Sequence, residues 1–119
     1  MNDFDVIFSY TLEDGLNDGV FIEVTEKVKD ILKWRSVFTD TLKAKIDTYF
    51  NNDQEKIDEI IKDIVYMFAF YTKLSRIDKY NKSFPYSFSF DEEPLIIFAE
   101  INISVENKPV LTFCLRQDL

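Results

Sequence analysis

Leu95-Ile96-Ile97-Phe98-Ala99-Glu100-Ile101-Asn102-Ile103-Ser104-Val105 sets Leu95, Ile97, Ala99, Ile101, Ile103 and Val105 on one side of an extended chain. Ile96, Phe98, Glu100, Asn102 and Ser104 fall on the other. Side chains of a strand point alternately to its two faces, so this stretch reads as a long β-strand with one wholly apolar face, which needs a cover. Downstream, Glu106-Asn107-Lys108-Pro109 reads as a turn, and residues 110–116 return as a strand with Leu111, Phe113 and Leu115 on one side. Upstream, Tyr86, Phe88 and Phe90 alternate with Ser87 and Ser89 in a segment that begins at Pro85. The last part of the chain is therefore a three-stranded meander.

The cover comes from the middle of the chain. Asn52, with Glu55 three residues on, starts a helix whose apolar positions Ile57, Ile60, Ile61, Ile64, Phe68 and Tyr71 recur at helical spacing. Asp58, Glu59, Lys62 and Asp63 fill the opposite side of its first half. From Ile64 to Tyr71 the residues are apolar or aromatic all round, far short of the roughly 20 that a membrane span needs, which makes this half a core helix or a subunit interface. Residues 73–82 form a polar, basic exit from it. A preceding helix is predicted with Thr39 as N-cap and Leu42, Ile46, Tyr49 and Phe50 on one stripe, interrupted at Asn51-Asn52-Asp53.

The first third opens with a strand over residues 4–11, where Phe4, Val6, Phe8 and Tyr10 share a face. A short helical turn follows, with Thr11 as cap, Asp14 as a capping-box partner and Gly19 in the position after a helix end. Val20, Ile22 and Val24 then alternate as a second strand, and Thr25 is the expected N-cap of a helix carrying Val28, Ile31 and Leu32 to about Trp34 or Arg35.

Composition removes most familiar chemistry. The chain of 119 residues has room for one domain, 1–119, and with 46% hydrophobic residues, 12 Phe and 6 Tyr it can build a core. It has no His, so Ser-His-Asp and Cys-His nucleophiles, imidazole proton shuttles and His-ligated zinc are all excluded. Gly15 and Gly19 are the only glycines, and neither belongs to a phosphate-cradling loop. Cys114 has no internal disulfide partner; it alternates with Thr112 and Arg116, a cation able to lower a thiol pKa, but a structural thiol is the simpler reading. The acid pairs Glu13/Asp14 and Glu92/Glu93 are adjacent residues that point different ways, a poor start for a metal or acid–base site. The expectation is a protein that is not an enzyme and binds no cofactor or metal. The opening Met-Asn-Asp-Phe-Asp lacks the basic region and apolar core of a signal peptide, which predicts a cytoplasmic location in a bacterial cell.

The net charge of −8 is unevenly placed. Residues 1–26 hold seven acids and no base, residues 27–50 carry an excess of three cations, residues 51–82 cancel, and residues 83–119 hold six acids against two bases. This opposes direct binding to nucleic acid or an anionic membrane and favours a basic partner surface, although acidity for solubility alone is the plainer alternative. The same charge argues against a base-stacking role for Phe8, Tyr10, Tyr86, Phe88 and Phe90, which read instead as core filling.

Val6-Ile7-Phe8-Ser9-Tyr10-Thr11, a short helix, and Asp18-Gly19-Val20-Phe21-Ile22-Glu23-Val24-Thr25 together resemble a family of small proteins of bacteriophages, plasmids and other mobile elements. Their usual start is I-x-S-Y-T-R-A-Q-A-I-x-D-G-V-L-V-D-V. The match covers roughly the first 25 residues and is architectural beyond them; at Leu12-Glu13-Asp14-Gly15 the chain departs from Arg-Ala-Gln-Ala toward greater acidity. The resemblance implies a mobile-element origin and an α+β fold, and brings no activity with it.

The expected fold is a single α+β domain: a mainly antiparallel sheet of about five strands, two N-terminal and three C-terminal, packed against central helices. If both ends join that sheet, their acids gather on one side. The functional expectation is an inhibitor of a host nucleic-acid-handling defence enzyme, of anti-CRISPR or anti-restriction type, whose acids mimic phosphates toward a basic groove. The partner-binding candidates are Asp14, Asp18, Glu23, Glu26, Asp91, Glu92 and Glu93. The alternative is a homo-oligomeric structural or accessory protein that self-associates, as a homodimer for instance, through Tyr66, Met67, Phe70 and Tyr71.

Overall fold

The computed structural model describes residues 13–75, 83–89, 94–103 and 108–118. Its elements are α1 (13–18), β1 (Phe21–Glu23), α2 (Thr25–Val28), β2 (Arg35–Thr39), α3 (Asp40–Tyr49), α4 (Gln54–Ser75), β3 (Ser83–Phe88), β4 (Leu95–Ile103) and β5 (Pro109–Leu115), closed by a 3-10 turn at Arg116–Asp118. The five strands form one sheet in the order β1-β2-β5-β4-β3. The fold is α+β and the sheet mostly antiparallel, with β2 and β5 running parallel.

The meander forms as its alternation requires. Ile97 and Ala99 of β4 lie opposite Leu115 and Phe113 of β5, and Tyr86 and Phe84 of β3 lie opposite the same two β4 residues. Pro85 sits within β3, an edge strand, where the missing N–H costs no central ladder bond. Leu111, Phe113 and Leu115 face the helices together with Phe38 of β2. Into this face α3 inserts Leu42 and Ile46, and α4 inserts Ile57, Ile61, Ile64 and Phe68. The ring of Phe113 lies 5.4 Å from Phe38 and 5.6 Å from Phe68, centroid to centroid. The Tyr86 hydroxyl donates to the Ile64 carbonyl at 2.8 Å, stitching β3 to α4. Among the described residues, every buried side-chain polar atom has a hydrogen-bond partner.

Val37 and Val110 form a smaller cluster on the opposite face, with Leu16 of α1 and Phe21 of β1 against them. Thr39, Thr112 and Cys114 are buried on that face too. β5 is therefore covered on both sides, as the central strand of the sheet.

The strand predicted over 4–11 lies outside the described residues, and two expectations change just after it. The helix expected from Thr25 to about Trp34 stops after Val28, and Thr25 does not cap it: its Oγ1 accepts the Ser36 N–H at 3.0 Å and donates to Glu23. The segment Arg35–Thr39, expected as the gap between two helices, is strand β2, an inner strand paired on one side with β1 and on the other with β5. Pairing with a neighbouring strand decides the conformation of this short apolar run. Thr39 does cap α3, accepting the Leu42 N–H at 3.4 Å. The cap of α4 falls on Asp53 rather than Asn52, because Asn51 and Asn52 both adopt left-handed backbone (φ 52° and 60°) to end α3, and Asp53 Oδ1 then accepts the Lys56 N–H.

Candidate functional site: an acidic edge and an aromatic cleft

The N-terminal acids are presented by three consecutive short elements. α1 carries Glu13, Asp14 and Asp18, β1 carries Glu23, and α2 carries Glu26. Gly19, at φ 78°, ends α1: its N–H donates to the Leu16 carbonyl and the next N–H, of Val20, to Gly15. The chain then turns sharply so that β1 runs beside α1. Gly15 permits the approach, since a Cβ there would stand 2.3 Å from the ring of Phe21.

This folding brings Glu13 and Glu23 to one cation. Arg35 donates from Nη1 to Glu13 at 3.3 Å and lies 3.1 Å from Glu23 through Nη2, with Nε also donating to Glu23. Burial opposes the charge of Arg35, but Glu23 first and Glu13 second outweigh it and raise its pKa above the ordinary value. Glu26 pairs with Lys29 at 3.2 Å, while Asp14 and Asp18 enter no ion pair among the described residues. Of the four predicted acids, Glu23 alone is drawn to Arg35; Asp14 and Asp18 lie on α1, which packs on the Val37 face, and Glu26 lies on α2, which packs on the helix side, so they flank the edge strand β1 from opposite faces. Asp91, Glu92 and Glu93 lie outside the described residues, so the meeting of the two chain ends there is not part of this geometry. Arg35 is the residue that sequence reading missed; its place at the start of an unsuspected strand hid its role.

The second surface lies on α4. Tyr66 is 58% exposed and Phe70 is 45% exposed, one turn apart on the same side. Met67 and Tyr71 turn partly inward, Met67 against the core and Tyr71 with its ring 6.0 Å from that of Tyr86. The four self-association candidates therefore divide, with only Tyr66 and Phe70 largely outside. Beside them opens a cleft of about 430 Å³ lined by Phe50, Ile60, Asp63, Tyr66, Met67, Phe88 and Ser89. Ile60, Asp63 and Tyr66 recur every three residues along α4, Phe50 arrives from the end of α3, and Phe88 and Ser89 from the end of β3. The link between Phe50, Asp63 and Phe88 crosses three elements, which one-dimensional periodicity does not register.

Cys114 is a buried thiol. It donates to the Phe98 carbonyl at 3.5 Å, and burial first, then the charges of Glu100 and Asp118, push its pKa up to about 12. Arg116, the cation that alternation placed on the same face as the weaker, activating alternative to a structural thiol, begins the 3-10 turn and places its guanidinium 6.0 Å from the centre of the Phe98 ring. Phe8, Tyr10 and Phe90 of the imagined stacking platform lie outside the described residues; Tyr86 is buried and Phe88 packs against the core. Among the described residues, no helix is long and apolar enough to cross a membrane. Comparison with protein-family models, curated proteins and solved structures finds no match for this chain.

Proposed function

We propose that this protein is a non-enzymatic accessory protein of a phage or other mobile element. It inhibits a host nucleic-acid-handling enzyme of the anti-CRISPR or anti-restriction type by offering its acidic edge to a basic, nucleic-acid-binding groove. The observation that carries this reading is the run of five carboxylates on the consecutive elements α1, β1 and α2, two of which meet at Arg35, with Arg35 and Lys29 the only described cations paired with any of them. Carboxylates on a rigid edge accept charge-assisted hydrogen bonds from Lys and Arg as phosphates do, and a concentrated negative field speeds encounter with a positive groove.

Affinity capture from bacterial lysate tests it, with wild type beside a variant carrying Asp14→Asn, Asp18→Asn, Glu23→Gln and Glu26→Gln. The expected result is a nucleic-acid-handling enzyme retained by wild type, displaced by added duplex DNA and lost in the variant. Equal retention by the neutralised variant overturns the mimicry. A companion variant at Asp91, Glu92 and Glu93 measures the share of the C-terminal acids.

The exposed Tyr66 and Phe70 favour a second reading, a homo-oligomeric accessory protein whose acidity serves solubility. Sedimentation equilibrium separates the two: a monomer at high protein concentration removes the second.

A further inference from the structure

The cleft on α4 is built on residues that pack against the core, Phe50, Ile60, Met67 and Phe88, and its exposed wall includes Asp63 and Tyr66. Three aromatic residues, Phe50, Tyr66 and Phe88, line it with the thioether of Met67, and one carboxylate, Asp63, stands in the same wall. Asp63 is exposed and makes no ion pair or hydrogen bond among the described residues, as is the case for Glu59 one turn earlier outside the cleft, whereas Asp58 on the same helix is bound by Lys27 and Gln54. Aromatic faces carry negative potential and attract cations. An unpaired carboxylate among them selects the same ligand charge and adds a directional acceptor.

We propose that this cleft binds the side chain of an arginine presented by a protein partner. A guanidinium is planar, weakly hydrated, suited to stacking on aromatic rings and able to pair bidentately with a carboxylate; a lysine ammonium gives up more hydration for fewer of these contacts. The net charge of −8 draws basic surfaces toward the molecule as a whole. The cleft shares no residue with the acidic edge, so the inference stands apart from phosphate mimicry and adds a specific anchor for a basic partner.

The test is a titration of the full chain with N-acetyl-arginine amide and, separately, its neutral isostere N-acetyl-citrulline amide, followed by NMR through the Met67 methyl and the Tyr66 ring. Arginine amide is expected to shift both signals saturably, with citrulline amide at least about fivefold weaker. Asp63→Asn weakens arginine amide by about fivefold and Tyr66→Leu by more; both side chains are exposed, and an unchanged Ile97 methyl signal verifies that each variant is folded. Equal binding of citrulline amide, or no saturable shift, overturns the proposal. So does a dimer that buries the cleft and excludes the arginine amide. The variant neutralised at Asp14, Asp18, Glu23 and Glu26 keeps its arginine-amide response if the cleft is the site; loss of the response in that variant alone transfers the cation to the acidic edge and ends this inference, while failure of lysate capture leaves it untouched.

Discussion

The two faces of the sheet are covered by unequal means. On one, α3 and α4 press Leu42, Ile46, Ile57, Ile61, Ile64 and Phe68 onto Phe38, Phe113 and Leu111 in a single apolar cluster. On the other, Val37 and Val110 meet Leu16 and Phe21, and the buried neighbours include Thr39, Thr112 and Cys114. The lesson is that stability and presentation are unevenly divided: the large cluster holds the sheet and, through Val24 and Val28, also α2 with Glu26, while the thin side holds α1 and β1, which display Glu13, Asp14, Asp18 and Glu23. Deleting a buried aromatic removes more transfer energy and leaves a larger cavity than deleting a buried valine. Phe113→Ala is expected to cost about 3–5 kcal/mol and Val37→Ala about 2 kcal/mol, both read by equilibrium denaturation. Equal losses would show that the thin side carries as much of the fold as the thick one.

A sharper probe of the thin side is Gly15→Ala. The added Cβ meets the flat ring of Phe21, not the end of a flexible side chain, so the contact is relieved only by moving β1 or α1. The expected cost is about 1–3 kcal/mol, with recovery when Phe21→Leu is added, a coupling that a double-mutant cycle measures. Because β1 carries Glu23, the same substitution should also disturb the Glu13–Arg35–Glu23 cluster, while an Asp63 or Tyr66 variant leaves it alone.

How much of this could be read in one dimension follows the same division. The stripe Ile57, Ile61, Ile64, Phe68 and the alternation Ile97, Ala99 against Leu111, Phe113 were legible because each element contributes one face to one large cluster and repeats its period long enough to be seen. β2 was not, because five residues, Arg35 to Thr39, hold too little alternation to outweigh a neighbouring helical pattern, and parallel pairing with β5, some 75 residues away, leaves no local trace. The double burial of β5 was half legible: Leu111, Phe113 and Leu115 announced one face, while Thr112 and Cys114 on the other carry polar atoms that periodicity counts as exterior. Of the site, the acids of residues 13–26 were plain in the charge count, but their clamp, Arg35, depended on the strand that was missed.

Alkaline titration compares the faces through one buried acid on each. Cys114 belongs to the thin side and is raised from 9.0 to about 12; Tyr86 belongs to the thick side and is raised well above 10.0 by burial. Each keeps its proton in the fold at a pH where the unfolded chain has lost it, so the folded state binds more protons and stability declines as pH rises. The contribution of Cys114 is intact below about pH 9 and is lost progressively toward pH 12. That of Tyr86 begins to fall at higher pH. Denaturant midpoints measured upward from pH 8 should therefore drop first by the thiol, and Cys114→Ala should delay the onset; an unchanged onset would mean that the thin side opens to solvent before its thiol titrates.

The smallest effect concerns how the covering helices stop. α1 ends at Gly19, whose left-handed φ costs no Cβ strain, and α3 ends in the same 6→1 and 5→2 pattern at Asn51, with Asn52 N–H reaching the Asp47 carbonyl at 2.9 Å and Asn51 N–H the Thr48 carbonyl at 3.3 Å. The thin side thus uses the residue that tolerates this backbone freely, and the thick side tolerates two asparagines in succession. A left-handed non-glycine residue carries a strain of about 1 kcal/mol, and glycine at the same position loses part of that relief to its greater freedom in the unfolded chain. Asn51→Gly is therefore expected to stabilise by about 0.5 kcal/mol, and Gly19→Asn to destabilise by about the same amount. Opposite signs of similar size would mark the two stops as one device in two surroundings. A loss on Asn51→Gly would instead assign the asparagine side chain a stabilising role of its own at the junction that aims α4, and with it the cleft, relative to α3.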